Sequence, residues 1–591
     1  MAPERSFEAL LFLLTLVALI SYSASFSFHR GHGSSDQVSS DRRFWIADDK
    51  FWKDGHPFQI IGGDMHYFRI VPEVERWWDV LLPKVAPLLY ENGGPVIMVQ
   101  VENEFGSYGD DKNYLHFLVQ LARRHLGNNT ILYTTDGGSQ DTLEKGTIPE
   151  EGVFSAVDFS TGDDPWPIFE LQKSYNLPGK SPPLSAEFYT GWLTHWGEQI
   201  AHTDGNHTAE ALRKILSRNG SAVLYMAHGG TNFGFFNGAN TGQFESDYKA
   251  DLTSYDYDAP IKEFGDVDNT KFKALRRVIH EHSGVSLHPI PSKIKRARYG
   301  PVKVNRIASL FEVLNFLCDP IKVVETEQPI AMELVGQMFG FLLYASEYPE
   351  KKDKSIISIP KVHDRAQVFV SCSLDGNRSP RYVGIIERWS TKSLEIPNLA
   401  CSSNVSLFIL VENLGRVNYG PYTYDRKGIL SSVTVDNIIL YHWKLYPISF
   451  HGLGDLLKFS LIRQLPNARA NKMSIPIGLQ NQLGRFRYSL KESISDQPVI
   501  YEGHFHIDSA NDIKDTFMSF RGWTKGVAFV NNFNIGRFWP LIGPQCTLYV
   551  PAPILRHGEN VIVILELHSP NPELTISLVE DPDFTCGKKQ H

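Results

Sequence analysis

Two short segments carry the residue types that acid–base chemistry needs. Val99-Gln-Val-Glu-Asn-Glu-Phe-Gly106 and Leu184-Ser-Ala-Glu-Phe-Tyr-Thr-Gly-Trp192 each set a carboxylate just past an apolar, strand-like run, with a glycine-containing turn behind it. Two carboxylates delivered from different strands suit glycosidic bond cleavage, in which one protonates the leaving oxygen and the other attacks the anomeric carbon or activates water. Glu102 and Glu104 lie two apart on an extended segment, which predicts that both face the same side, and either can serve as the acid/base. Asn103 between them offers an amide to a sugar hydroxyl. The blander reading of Glu-x-Glu is a structural carboxylate pair that binds backbone or an arginine. Glu187 is followed by Phe188, Tyr189, Trp192 and Trp196, whose ring faces suit the apolar side of a pyranose.

The elements that must position these groups alternate. Strands are expected near residues 60, 98, 132, 156, 185 and 224. Helices are expected over 74–90 (interrupted by Pro83 and Pro87), 111–126, 166–174, 207–217 and 270–282. Alternating strand and helix implies a parallel sheet. Asp110 or Asp111 caps the second helix, which puts Tyr114, Leu118 and Leu121 on one face. Beyond residue 297, runs such as Ala366–Cys372, Ser406–Val411, Gly526–Val530 and Val561–Leu567 are separated by turn residues, the pattern of antiparallel sandwiches. The domain expectation is a signal peptide at 1–25, a lead-in at 26–42, a catalytic domain at 43–296, and sandwiches at 297–450 and 451–591.

Composition sets the outer limits. A chain of 591 residues is too long for one core. Its net charge of -8 argues against a nucleic-acid partner. Arg5, the apolar run Ala9 to Ile20 and the small residues Ser23-Ala24-Ser25 read as a secretory signal. That run is too short for a membrane span of about 20 residues. Asn-x-Ser/Thr sequons begin at Asn128, Asn206, Asn219, Asn377 and Asn404 and fit a secreted glycoprotein. Five cysteines leave one without an intramolecular partner. There is no CxxC or HExxH, and His280-Glu-His282 reads as a polar helix end, so no metal site is expected. His228-Gly-Gly-Thr-Asn-Phe-Gly234 lacks the glycine spacing and lysine of a phosphate loop. Ser254-Tyr-Asp-Tyr-Asp-Ala-Pro260 is a polar, aromatic loop, and no Gly-x-Ser-x-Gly elbow suggests a lipase or peptidase.

These pieces, with Gly62-Gly-Asp-Met-His-Tyr-Phe-Arg69, Glu412-Asn-Leu-Gly-Arg-Val-Asn-Tyr-Gly420 and Phe529-Val-Asn-Asn-Phe-Asn-Ile-Gly-Arg-Phe-Trp539, resemble the family 35 glycoside hydrolases, retaining β-galactosidases of lysosomal and plant cell-wall type. The resemblance implies a TIM barrel followed by two jelly-roll-like β-sandwich domains. It makes Glu104 the acid/base and Glu187 the nucleophile, and it sets Asn103 and Tyr257 against the galactose. It implies β-galactoside glycans as substrates, no cofactor, and a secreted, apoplastic protein, with the vacuole or lysosome as the alternative destination. The sequence sets no oligomeric state.

The resemblance also exposes a departure. In the family, the strand carrying His66 is followed by two more barrel strands with Tyr-Val-Pro-Trp-Asn and Gly-Pro-Tyr-Ile-Cys-x-Glu-Trp motifs. Neither motif is present, and 31 residues separate Gly63 from Pro95. The expectation is a barrel two strands short, with one contiguous excision joined near Val71 to Trp77. The competing expectation is a non-enzymatic, carbohydrate-binding remnant.

Overall fold

The computed structural model describes residues 42–63, 71–283, 288–351, 353–372, 380–401, 404–451, 453 and 497–587. The expected signal peptide, His66 and the Asn377 sequon lie outside them.

A short antiparallel meander opens the described chain: β1 (Phe44–Ala47), β2 (Lys50–Lys53) and β3 (His56–Phe58). The strands that follow are β4 (Ile61–Gly63), β5 (Met98–Asn103), β6 (Ile131–Gly137), β7 (Phe154–Phe159), β8 (Leu184–Tyr189) and β9 (Ser221–Tyr225). Among the described residues these six form one parallel sheet in the order β4-β9-β8-β7-β6-β5, with β4 and β5 at its two ends. All six fall where the apolar runs placed them. A closed eight-stranded barrel is not what the described residues form.

Helices cover one face of this sheet. These are α1 (Val71–Val85), α2 (Lys112–Leu126), α3 (Gln140–Gly146), α4 (Pro165–Lys173), α5 (Gly205–Leu216) and α6 (Thr270–Ser283). The stretch expected as helix to residue 90 ends at Val85 and continues as two 3-10 turns, because Pro87 removes a backbone donor. Asp111 caps α2, accepting from Asn113 N at 3.0 Å and Tyr114 N at 3.4 Å, which contributes about 1 kcal/mol. Leu115, Leu118, Val119 and Ala122 of α2 bury against Val101 and Leu132. Leu212, Ile215, Leu275 and Val278 of α5 and α6 bury against Val157, Phe188, Ala222 and Leu224. Each such side chain contributes about 1.5–3 kcal/mol. On the other face, Ile46 and Phe51 of the meander pack with Phe154, Leu184, Ala186 and Val223. They plug the starting ends of the strands, opposite the ends that carry Glu104 and Glu187.

The C-terminal half is antiparallel, as expected. Phe341–Pro349, Arg365–Ser371 and Asn404–Glu412 sit in one six-stranded sheet. Val499–Ile507, Gly526–Val530 and Gly558–Glu566 sit in an eight-stranded one. One strand departs from the expected grouping. Gly300–Ser309, placed by the sequence with the first sandwich, pairs with Val499–Ile507 on one side and Thr575–Val579 on the other. The first sandwich is therefore inserted between two adjacent strands of the second. Sequence periodicity could not show this, because ladder partners two hundred residues apart leave no local mark. Cys372–Cys401 and Cys546–Cys586 form disulfides, and buried Cys318 is the odd thiol. Among the described residues no helix is long and apolar enough to cross a membrane.

Candidate active site

Glu104 lies one residue beyond β5 in the left-handed backbone region, at φ 52°, an uncommon state for a residue with a Cβ and one that costs about 1–3 kcal/mol. Its N–H donates to Thr135 O at 2.7 Å at the end of β6, and a 3-10 turn, Phe105–Ser107, follows it. The buried Asp136 carboxylate accepts from Gly106 N at 2.8 Å and fixes that turn. Glu104 itself is half-buried. Tyr189 Oη donates toward its Oε1 at 3.3 Å, and Asn103 Nδ2 lies 3.4 Å from its Oε2.

Glu102 and Glu104 do not face the same side. The β5–β6 ladder slips one residue between Gln100 and Glu102, a bulge that turns Glu102 outward with Val101. There the fully buried Glu102 Oε1 accepts from Tyr114 Oη of α2 at 2.9 Å and Tyr108 Oη at 3.2 Å. The period-2 expectation fails because the bulge and the left-handed residue both break the alternation. The bland reading fits Glu102, a structural carboxylate held by two phenols.

Glu187 lies on β8 and is 5% exposed. The register slips on both of its ladders, between Val157 and Asp158 toward β7 and between Ser185 and Phe188 toward β9. Around it stands an aromatic group. Tyr189 is edge-on to Trp192 at 5.6 Å and to Tyr225 at 5.8 Å, and Tyr257 sits 5.3 Å from Tyr225 and 6.2 Å from Trp192. Trp192 is 51% exposed and offers its ring to the opening. Burial and the negative charges of Glu104 and Glu187 push the phenols of both Tyr189 and Tyr257 upward. The two carboxylates therefore act on the same pair of side chains.

Tyr257 is held by an unusual backbone. It and Asp258 both have positive φ, at 61° and 50°. Its carbonyl oxygen lies 1.8 Å from where a Cβ on Gly191 would stand, so only glycine fits at 191. Lys271 Nζ ties the two loops, donating to Thr190 O at 2.6 Å and to Asp258 Oδ2 at 2.7 Å. The second sandwich buttresses the same loop: Thr253 Oγ1 donates to Arg537 O at 2.7 Å, and Ser254 N to Gln545 Oε1 at 3.0 Å.

Three further residues join the site without having been singled out in the sequence. Asp136 ends the apolar run of β6 and Asp158 that of β7, so the signal that found Glu187 also applies to them. Asp158 Oδ1 lies 3.3 Å from Tyr189 Oη and its Oδ2 accepts from Thr135 Oγ1 at 3.4 Å. Burial, then the charges of Glu104 and Asp136, push Asp158 well above the carboxylate range. Burial likewise pushes Asp136 up, and its Oδ2 has no hydrogen-bond partner among the described residues. The third is Tyr419 of the first sandwich, whose Oη donates to Ser107 Oγ at 3.1 Å. With Gly106, Tyr108, Asp110, Thr142 and Lys145 it lines a polar cleft of about 450 Å3 beside Glu104. No local pattern could have placed Tyr419 there from 312 residues away.

Among the described residues, one group brings metal-ligand atoms within 4.8 Å of one another: His363, Asp364 and Asp425. Cations already hold it. Lys427 Nζ sits 2.8 Å from Asp364 and 2.6 Å from Asp425, and Arg388 Nη1 sits 2.9 Å and 2.7 Å from the same two. It is an ion-pair network.

Residues 71–282 match the model for glycosyl hydrolases family 35. Residues 329–449 match the "beta-galactosidase, first all-beta domain", and 498–560 the "beta-galactosidase, galactose-binding domain". A protein of Oryza sativa subsp. japonica named Beta-galactosidase 8 is 59% identical over 683 residues and aligned over the whole of both chains. Beta-galactosidase 17 of Arabidopsis thaliana is 51% identical, covering 93% of this chain and 91% of that one. The Homo sapiens Beta-galactosidase is 39% identical, covering 86% of this chain and 72% of its own. With likeness of that depth along the full length, the chain belongs to glycosyl hydrolase family 35.

Proposed function

We propose that this protein is a retaining β-galactosidase that removes terminal, non-reducing β-D-galactosyl residues from β-galactosides. The observation that carries the reading is the placement of Glu104 just past β5 and of Glu187 on β8 of the same parallel sheet, with Tyr189 Oη of β8 donating to Glu104 at 3.3 Å. In the first step Glu104 protonates the glycosidic oxygen while a Glu187 oxygen attacks C1 and forms a galactosyl ester. In the second, Glu104 takes a proton from water, whose oxygen displaces Glu187 from C1. Asn103 and Tyr257 bind galactose hydroxyls, and Trp192 stacks on the sugar. The chemistry uses no metal or organic cofactor. The full-length likeness to proteins named beta-galactosidase supports the activity, and nothing favours the non-enzymatic remnant.

The catalytic unit is a family barrel two βα units short, joined near Val71 to Trp77. Three facts support this. The described sheet has six parallel strands. The family match begins at residue 71. The 591 residues spread over 683 positions of the rice alignment, a difference of 92, close to two βα units of roughly 30 residues each plus loops. The unit spans residues 43 to 296. The first sandwich is inserted after 309 and runs to about 450, and the second combines 300–309 with the C-terminal segment. Secretion to the apoplast fits the signal-like N-terminus, the exposed sequon residues Asn128, Asn206, Asn219 and Asn404, and the two disulfides.

The test is hydrolysis of an aryl β-galactoside by the purified chain beside Glu187→Gln. The expected result is a loss of about 10³-fold or more in the variant, since removing a nucleophile removes the covalent route. Indistinguishable rates would overturn the reading.

A further inference from the structure

Tyr189 bridges two acids. Its Oη stands 3.3 Å from Glu104 Oε1 and 3.3 Å from Asp158 Oδ1. A phenol has one hydrogen, which can serve one carboxylate at a time. If both acids were ionised, the phenol oxygen would turn a lone pair toward the other carboxylate in a buried, low-dielectric place. A second hydrogen removes that conflict, and it must sit on one of the two acids.

We propose that Asp158 is a positioning residue for the acid/base, sharing one carboxyl proton with Glu104 across the Tyr189 phenol. The proposal rests on the β-galactosidase reading above and deepens it. Two arrangements of the same two hydrogens exist. In one, Asp158 O–H donates to Tyr189 Oη and Tyr189 O–H donates to Glu104. In the other, Glu104 O–H donates to Tyr189 Oη and Tyr189 O–H donates to Asp158. Passing between them breaks two O–H bonds, forms two, and changes no net charge. The second arrangement is ready for the first chemical step, in which the Glu104 proton goes to the glycosidic oxygen. That step leaves carboxylates at both Glu104 and Asp158. Their repulsion across the phenol makes Glu104 a stronger base for the water of step two, and taking a proton from water restores the shared arrangement.

The surroundings favour a retained proton. Asp158 is 5% exposed, and Thr135 Oγ1 orients its second oxygen. The groups that face this chain are negative or phenolic: Asp136 from β6, Glu187 from β8, Tyr257 from its loop and Tyr419 from the first sandwich, while Glu102, turned outward from β5, acts on Asp136. Lys112 of α2 acts on Asp136 from the other side.

The test compares Asp158→Asn with the unaltered chain over pH, on aryl β-galactosides with a good leaving group (dinitrophenyl) and a poor one (phenyl). An amide at 158 donates to the phenol and turns its hydrogen permanently toward Glu104, which favours the Glu104 carboxylate. The alkaline limb of kcat/KM should move about one unit to lower pH. The rate on the phenyl substrate should fall about 10–100-fold, with a smaller loss on the dinitrophenyl one, which needs little protonation. In a Tyr189→Phe background the same substitution should shift the limb less, because the bridge is gone. An unmoved limb with equal losses on both substrates would overturn the proposal and leave Asp158 a structural residue. If the unaltered chain shows no turnover, the β-galactosidase reading fails on that result. The proton question is then decided by infrared titration of the protonated-carboxyl stretch that Glu104→Gln removes. A midpoint that moves on Asp158→Asn supports the sharing, and a fixed midpoint refutes it.

Discussion

The parallel-sheet unit and the sandwich pair both bury carboxylates, and they treat them in opposite ways. At the strand ends of the parallel sheet, Asp136 and Asp158 are surrounded by like charge and phenols, and burial pushes both well above the carboxylate range. Among the sandwiches, Glu412 is fully buried, yet Lys525, Arg537 and Arg365 hold its carboxyl below the usual range. Burial beside those cations costs Lys525 its own proton affinity, down to about 8. Asp425 is likewise held down, hydrogen-bonded to His363 and paired with Lys427 and Arg388. One region uses burial to keep protons available, and the other uses cations to keep charge in place. Glu566 departs from the second pattern: its partners are backbone N–H groups of Thr524, Lys525 and His568, and burial pushes it up to about 8.

The contrast breaks most sharply at Lys427. Its side chain is fully buried between Asp364 and Asp425, so Lys427→Met strands two carboxylates with Arg388 as their remaining cation. The expected loss is about 3–5 kcal/mol, read as an earlier sandwich transition in calorimetry. An unchanged transition would mean that the network is not what locks this unit. The opposite sign is expected in the parallel-sheet unit at Glu263, which accepts from Thr231 Oγ1 and from Ser254 Oγ at 2.6 Å, and which burial pushes up to about 8. An acid whose folded value is raised stays protonated in the fold while the unfolded chain ionises above about 4.3. Unfolding then releases a proton, so this group lowers stability progressively from about pH 4.3 to about 8. Glu263→Gln should remove that slope: little change at pH 4.5, and a gain of about 1–3 kcal/mol at pH 8. Glu412, with its lowered value, contributes stability that is present above about pH 4.3 and lost as pH falls below it. Acid should therefore remove the Glu412 contribution to the sandwiches while it relieves the cost of burying Glu263.

Much of the parallel-sheet unit is legible in the sequence, because its central strands β7, β8 and β9 bury both faces and write continuous apolar runs. Residue types at the strand ends bring out Glu102, Asn103, Glu104 and Glu187 as candidates, whereas the choice of Glu104 over Glu102 and the role of Tyr257, which lies in a loop, rest on the family resemblance. Glu102 was misplaced because a one-residue bulge between Gln100 and Glu102 reverses the face, and no residue type announces a bulge. Asp136 and Asp158 carry the same end-of-strand signal as Glu187 but lack the Tyr and Trp residues that follow Glu187 at 189 and 192. The insertion of one sandwich into the other, Tyr419 above Ser107, and the partners of Glu412 were not legible. All depend on contacts across long separations, where the pairing energy lies in the fold and not in any local run.

The smallest effect belongs to Cys318, and it tests the seam between the sandwiches rather than either site. Leu317 beside it belongs to an apolar cluster that joins Phe341, Leu343 and Phe408 of the first sandwich to Val527, Phe529 and Val563 of the second. Burial pushes the Cys318 thiol up to about 11. A thiolate is the reacting species, so labelling by a thiol reagent at pH 8 should run about 100-fold slower than for a free cysteine. Cys318→Ser should leave melting and turnover within about 0.5 kcal/mol of the unaltered chain. The useful comparison is the same labelling in Glu412→Gln. Glu412 Oε1 takes Lys525 Nζ at 2.8 Å and Arg537 Nε at 3.2 Å across this seam. If those cations, once uncompensated, open the seam, Cys318 labels faster in the variant while its reactivity in the unfolded chain stays the same. Equal labelling rates in the folded proteins would assign the seam to its apolar cluster alone, and would confine the ion pairs to fixing register between the two sandwiches.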